Sequence, residues 1–404
     1  MNSHTLLNIS KAITRVRAHG WQGSFHTNLL MDYLVNFGLL DEARKLFYSH
    51  DPSSQAIFDW RIQHLVTQDF YGGDFPYELE NAPFSKAAWQ ELEKQAQSMT
   101  SGFVKNDYLL DRINTWILES YTLPGICEAA PGDIVIDCGA YTGSTTLYFS
   151  QKTGLGGHVY GFEAARDVFS QYLENIRHIT NCTPIRSAVS RENGTATFGG
   201  NPACASLGQP GEEVTTVALD DFISKNNIPR VDFIKMDVEG AEADVLLGAA
   251  KLIRRFRPKM ALSIYHKKQD LYDLPAIVRK IDPNYNFRLR HYSNRASETV
   301  VFCTPDTEPA PPADCPISDK EQAESLQTIF DFLVWMHTAR SHRQVVMREY
   351  YTLLRQYEED CKSMAATTDT LIRKNKELSV ENIALKRLTE KMSWQTPPNE
   401  CNTA

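Results

Sequence analysis

Between residues 133 and 303 short apolar runs alternate with stretches of helical periodicity. Ile134–Cys138, Val159–Phe162, Thr183–Val189, Phe233–Met236 and Met260–Tyr265 predict strands. Ser144–Gln151, Val168–Arg177, Glu242–Phe256 and Leu271–Ile281 predict helices. Near-continuous apolar strands separated by helices are the pattern of a parallel sheet covered on both faces, a doubly wound α/β fold. Phe287–His291 and Thr299–Phe302 sit too close together for a crossover helix and predict a closing antiparallel pair. The interval Arg191–Ile223 breaks the rhythm, with Gly194, Gly199, Gly200, Gly208, Gly211 and one apparent strand at Glu213–Val217. It is expected to be an insertion on the rim of a substrate site.

The flanks have a different pattern. Residues 1–120 predict a helical region, with Leu29, Leu30, Tyr33, Leu34, Phe37, Leu40, Ala43 and Phe47 at helical spacing. Tyr71–Pro76 predicts a turn. Ser85 heads a helix at Ala88–Gln97, and Asp107 one at Ile113–Leu118. No chemical motif stands out there, so packing or substrate shaping is expected. The α/β domain takes residues 121–303. Residues 304–316 hold five prolines and predict an extended linker. Residues 317–404 predict a helical tail. Ser318 and Glu321 form a capping-box signal, and Leu326, Ile329, Phe330, Leu333 and Met336 form an apolar face. Within 345–394 a heptad register puts Tyr357, Met364, Leu371, Leu378, Leu385 and Met392 at d. Its a column is mostly polar and includes Asn375 and Asn382, so the expected coiled coil is weak. A homodimer through this segment is expected, with a helix packed on its own chain as the alternative.

Composition narrows the class. The chain has 404 residues, 42% hydrophobic and 23% charged, as for an ordinary globular protein. A net charge of −8 gives no general affinity for nucleic acid. No apolar stretch is long enough to predict a membrane span, and Met1–Gly20 has no signal-peptide core. Eight cysteines without a CxxC pair or a Cys/His cluster fit reduced thiols and a cytoplasmic setting.

Chemistry concentrates at the strand ends. In Val135-Ile136-Asp137-Cys138-Gly139-Ala140-Tyr141-Thr142-Gly143-Ser144 a buried strand ends in an acid, two glycines follow, and a helix opens. Gly139 would let a ligand approach the backbone, and Gly143 would open a helix whose amides favour an anionic group. Tyr141 stands where a dinucleotide fingerprint needs its second glycine, which disfavours a pyrophosphate cofactor. In Gly161-Phe162-Glu163 the second strand also ends in an acid, 26 residues after Asp137, placed to accept hydrogen bonds from ribose hydroxyls. In Phe233–Glu242 a further strand delivers Lys235, Asp237, Glu239 and Glu242 to the same edge. Simple helix capping is the alternative for these acids. His266 ends the next strand in Ser263–Lys267, and His291 ends a later one. Asp237 and His266 are the candidate catalytic groups. Lys235, Glu239, Glu242 and His291 are candidates for touching substrate. A divalent ion on Asp237 and Glu239 stays open, but a hard cation wants more oxygen ligands than the sequence assigns.

Asp137–Ser144, Tyr160–Glu163, Thr216–Phe222, Val231–Glu242 and Leu262–His266, with Tyr292-Ser293 and Glu298–Val300, together resemble the FkbM-type methyltransferase family. The resemblance implies a class I Rossmann-like methyltransferase fold with S-adenosylmethionine as cofactor. It also implies O-methylation of a hydroxyl on a sugar, glycan or related product. By the same resemblance Asp137, Gly139, Tyr141, Gly143 and Glu163 are cofactor residues, and Ser187 and Ala188 meet the adenine. The family often has Pro after the ribose-binding Glu; here it is Ala164. Two rivals stay open: an NAD-dependent oxidoreductase on the shared sheet, and a degenerate methyltransferase fold kept as a scaffold for glycan-synthesis partners.

Overall fold

In a computed structural model of the chain, the α/β region carries eleven strands among the described residues. They are β1 (Ile134–Cys138), β2 (His158–Phe162), β3 (Cys182–Ile185), β4 (Ala188–Val189), β5 (Gly194–Gly199), β6 (Ser206–Leu207), β7 (Gly211–Val217), β8 (Phe233–Met236), β9 (Lys259–Ser263), β10 (Tyr285–His291) and β11 (Thr299–Pro305). The structure describes residues 3–18, 34, 36–67, 79–99, 108–200 and 206–305, and then 321, 324, 325, 327–329 and 331. The Tyr71–Pro76 turn, Asp107, most of the proline-rich linker, Ser318 with most of the apolar face after it, and the 345–394 heptads lie outside the described residues.

Seven strands form one sheet in the order β10-β11-β9-β8-β1-β2-β3. The pairs β1/β2, β2/β3, β1/β8 and β8/β9 are parallel, while β11 runs antiparallel to β9 and to β10. The strand order reverses at β1, between β2 and β8. Ligands of open α/β sheets bind outside the carboxyl ends of the strands at such a switch point. Val135, Ile136, Phe233, Ile234, Met260 and Leu262 are fully buried, which explains the apolar runs seen in the sequence.

Three departures from the expected elements have physical causes. The expected strand Thr183–Val189 splits: β3 pairs with β2, and the chain leaves at Arg186-Ser187 so that β4 pairs with β7. The Arg191–Ile223 insertion is therefore a second sheet, ordered β4-β7-β5-β6. The expected helix Glu242–Phe256 breaks at Ala249 into Glu242–Gly248 and Ala250–Phe256. Gly248 lies so close to the chain that a Cβ there would sit 2.3 Å from the Ser190 carbonyl oxygen. The Ile113–Leu118 region winds as a π-helix, Arg112–Ile117, a form common at functional sites. The helix Lys86–Ser98 starts as expected, with Ala88 N–H donating to Ser85 Oγ at 3.1 Å.

Helices Phe37–Tyr48 and Pro52–Thr67 close the β10 edge of the sheet, and His4–Ala18 packs on those two helices. An edge strand offers unpaired N–H groups, and here Leu289 N–H donates to Ser54 Oγ at 2.7 Å. Arg61 Nη1 donates to Thr299 Oγ1 at 2.6 Å and Tyr48 Oη to the Leu271 carbonyl at 3.0 Å. No helix among the described residues is long and apolar enough to cross a membrane.

Candidate active site

The carboxyl ends of β1, β2, β8 and β9 bring most of the expected residues to one edge. Asp137 ends β1 but is fully buried. Its Oδ2 accepts from Thr145 Oγ1 at 2.8 Å and Thr146 Oγ1 at 2.7 Å, and its Oδ1 lies 3.2 Å from Lys235 Nζ. Lys235 Nζ in turn donates to the Gly139 carbonyl at 2.6 Å and stands 5.2 Å over the Tyr121 ring. Burial opposes the Lys235 charge, but Asp137 and Asp237 outweigh it and hold its pKa above the ordinary lysine value. The sequence predicts that both side chains touch ligand. The structure spends them on each other and on the loop Gly139–Gly143, so they position that loop from beneath.

The loop glycines are required by their neighbours. Gly139 has φ +83, and a Cβ there would lie 1.8 Å from the Asp237 carbonyl oxygen. Gly143 caps the helix Ser144–Thr153 at φ +93, and its Cβ would lie 2.5 Å from Tyr172 Cδ2. Close approach is thus real, but it is between protein segments. Between the glycines, Tyr141 takes the left-handed conformation at φ 49. Its N–H donates to Glu163 Oε2 at 3.1 Å, and its ring stacks on Tyr108 at 6.4 Å.

Glu163, at the end of β2, is 9% exposed, and its Oε1 accepts from Ala165 N–H at 2.8 Å. A carboxylate has about four acceptor positions, so these amides leave it capacity for a further donor. Burial pushes the carboxyl up to about 7, against the lowering effect of its backbone hydrogen bonds. Ser187, half-buried, stands in the turn between β3 and β4, and Ala188 packs in a small cluster with Ala164 and Val214.

Acids gather at the ends of β8 and β9. Asp237 Oδ2 accepts from Tyr121 Oη at 2.8 Å and Oδ1 from Tyr265 Oη at 3.2 Å. His266 Nε2 lies 3.4 Å from Asp237 Oδ1 and 3.5 Å from Glu239 Oε2, and its Nδ1 lies 2.9 Å from Glu242 Oε1. Glu242 is 1% exposed, and its Oε1 also accepts from Val238 N–H at 3.0 Å. Capping and ion pairing thus coexist in it. Glu239 and Gly240 turn the chain with φ 53 and 92, which carries the Glu239 carboxylate toward His266. Burial opposes the His266 charge, but Glu242, Asp237 and Glu239 raise its pKa to about 9. Burial, beside Asp237 and Glu242, lifts Glu239 to about 7. Asp237 is held below the usual carboxylate range: burial raises it, but Lys235 and His266 prevail. Glu298, at φ 70, is pushed up to about 8 by burial and by Asp237 and Asp111.

His291 is not brought to this edge. Its Nδ1 is 2.7 Å from Thr299 Oγ1 and its ring packs on Trp60 at 4.5 Å, so burial against the N-terminal helices drives its pKa far down. As a substrate-contact candidate it is corrected to a core residue. Tyr121, Tyr265 and Glu298 stand beside Asp237 as well; Tyr265 and Glu298 lie in the segments Leu262–His266 and Glu298–Val300, but neither is a candidate site residue in the sequence. Tyr265 has a signal, being next to His266 at a strand end. Tyr121 has none, because it reaches Asp237 from across 116 residues of chain.

A doubly wound sheet with reversed strand order at β1, glycine loops at its edge and acids on adjacent strand ends defines a class I methyltransferase fold. Residues 137–289 match the family model of the Methyltransferase FkbM domain, so this stretch is an FkbM-type methyltransferase domain, as the sequence motifs imply. S-Adenosylmethionine is the cofactor that goes with that domain. The chain is 27% identical over 133 residues to the hexuronic acid methyltransferase AglP of Haloferax volcanii, covering 31% of this chain and 54% of that protein. It therefore spans about half the length of that relative. Among solved structures, a methyltransferase FkbM from Methylobacillus flagellatus aligns with TM-score 0.48 at 19% identity, over 67% of this chain and 60% of the other. Fibrillarin of Aeropyrum pernix, solved with natively bound S-adenosyl-L-methionine, aligns with TM-score 0.32 at 18% identity, over 46% of this chain and 74% of the other.

Proposed function

We propose that this chain transfers a methyl group from S-adenosylmethionine to a hydroxyl of a sugar or glycan. The observation that carries the cofactor side is Glu163, a nearly buried carboxylate just after β2 whose oxygens keep acceptor positions beside their backbone amide donors. Two ribose hydroxyls suit those positions, as charge-assisted donors. Ser187 and Ala188, at the turn after β3, would border the adenine. The loop Gly139–Gly143 would cradle the rest of the cofactor, and the carboxylates Asp237, Glu239 and Glu298 favour a cationic sulfonium nearby. When bound, the cofactor supplies an electrophilic methyl group.

The chain's own residues then have separate roles. Tyr121 and Tyr265 fix Asp237 by two hydrogen bonds, so its carboxylate stands ready to orient an acceptor hydroxyl and take its proton. The sequence makes His266 a second candidate base. Surrounded by three carboxylates it carries a proton at neutral pH, so it serves as their counter-charge. Much of the acceleration would come from alignment within this set. The sugar acceptor draws support from the hexuronic acid methyltransferase relative. Incubation with labelled cofactor and a panel of free and lipid-linked sugars tests the reading. Label in a sugar methyl ether supports it, and label only in protein or nucleic acid refutes the acceptor class.

A further inference from the structure

We propose a binding site for a first-row divalent cation at Asp237, Glu242 and His266, beside the reacting edge of the sheet. Each of these side chains offers one ligand atom, and the three atoms lie within 4.8 Å of one another. Asp237 Oδ1 and His266 Nε2 are 3.4 Å apart. Neighbouring ligands held about 2.0–2.2 Å from an ion stand roughly 3.0–3.5 Å apart, so that pair is already at ligating distance. Glu242 offers its ligand atom within 4.8 Å of the other two, so it completes the set by moving toward them.

Two further observations point to a cation. Glu242 Oε2 has no hydrogen-bond partner, although the side chain is 1% exposed. A buried carboxylate oxygen without a partner is costly. The His266 side chain is 8% exposed, its Nδ1 lies 2.9 Å from Glu242 Oε1, and its Nε2 makes no hydrogen bond. The cluster thus holds an orphan carboxylate oxygen beside an imidazole whose proton a bound cation would displace. Glu239, 3.5 Å from His266 Nε2, adds a third carboxylate within reach.

The donor set selects the metal class. Two carboxylates with one imidazole suit manganese, iron or zinc better than magnesium or calcium, which prefer oxygen alone. The position also gives the cation a role. Bound beside Asp237, it would hold the acceptor oxygen and make its hydroxyl more acidic. It would also offset the acidic surroundings for an acceptor that is itself anionic.

The test uses the full-length protein stripped with a chelator and titrated with Mn2+ alone in a calorimeter. One ion per chain is expected, with affinity at least about 30-fold weaker in Glu242→Gln and in His266→Gln, and unchanged in the distant Glu212→Gln. Far-UV circular dichroism and melting curves check that the variants fold. If they do not, pulsed electron paramagnetic resonance of Mn2+ on the wild type replaces them: modulation from an imidazole nitrogen supports the site, and its absence overturns it. No binding at millimolar Mn2+, or binding that survives both substitutions, also overturns it. S-Adenosylmethionine titrated into the same metal-free sample reports separately on the methyltransferase reading, so either claim can fail alone.

Discussion

Affinity for S-adenosylmethionine should rise with pH through about 7, and Glu163 is the reason. Its carboxyl is pushed up to about 7 by burial from an ordinary value of 4.5. Ribose hydroxyls donate to the charged form, so binding selects the ionised carboxylate and expels a proton. With the midpoint at 7, about a tenth of the protein is ionised at pH 6 and about nine-tenths at pH 8. The dissociation constant should therefore be about tenfold higher at pH 6 than at pH 8. Calorimetry in two buffers of different ionisation heat would also show the released proton near pH 6.5. The cofactor's own amino group titrates near 7.7–8.0, so Glu163→Gln is the control: it should remove the lower transition and leave the upper one. The same shift bears on stability. A carboxyl whose folded pKa is raised contributes stability that is complete below about 4.5 and is lost as pH rises through 7, about 3 kcal/mol in all. Glu163→Gln should flatten that part of the stability curve in urea melts. Wild-type affinity that is flat from pH 6 to 8, or a Glu163→Gln variant that binds as tightly as wild type at pH 8, would refute the assignment of Glu163 to the ribose.

Lys235→Met leaves Asp137 buried without its counter-charge, and urea unfolding should show a loss of about 3–5 kcal/mol. Gly139→Ala meets the Asp237 carbonyl at 1.8 Å in a left-handed backbone, so cofactor binding in calorimetry should be lost along with about 2 kcal/mol or more of stability. His291→Asn should cost about 1–3 kcal/mol in melts yet leave cofactor affinity within twofold, since the ring packs on Trp60 away from the site. Tyr121→Phe removes one hydrogen bond from Asp237 and should lower kcat by about tenfold with little change in cofactor affinity, read by labelled-methyl transfer.

The sheet was legible because parallel strands are buried on both faces and so read as plain apolar runs. β1, β2, β8, β9 and the β10/β11 pair fall where those runs predict. The place of Glu163 at the end of β2 was legible too, since the apolar run stops there. What escaped was everything decided across the chain. Arg186-Ser187 carries no turn signal, yet the chain changes sheets there because β7 offers β4 a partner. Tyr121 gains its place only when the segment before β1 folds over the strand ends. The capping alternative for Glu242 and its pairing with His266 are both true at once, which residue type and spacing cannot distinguish.

Asp137 and Asp237 show why a strand-end acid is ambiguous. They end adjacent strands, β1 and β8, and in sequence both precede a small-residue turn into a helix. In register Asp137 pairs with Lys235, two positions before Asp237, so the Lys235 side chain stands between the two acids. The Lys235 ammonium lies 3.2 Å from Asp137 Oδ1 and also donates to the Gly139 carbonyl, so one cation neutralises the inner acid and secures the loop Gly139–Gly143. Asp237 is left with two tyrosine donors and 22% of its side chain exposed, against none for Asp137. A partly exposed acid keeps its charge available to a ligand, even with Lys235 and His266 nearby. An acid closed into a buried ion pair with two threonine donors does not. The division of labour between two look-alike residues thus follows from where a single lysine side chain can reach. Asp137 and Lys235 support the loop Gly139–Gly143 from beneath, and Asp237 is the more exposed of the two acids.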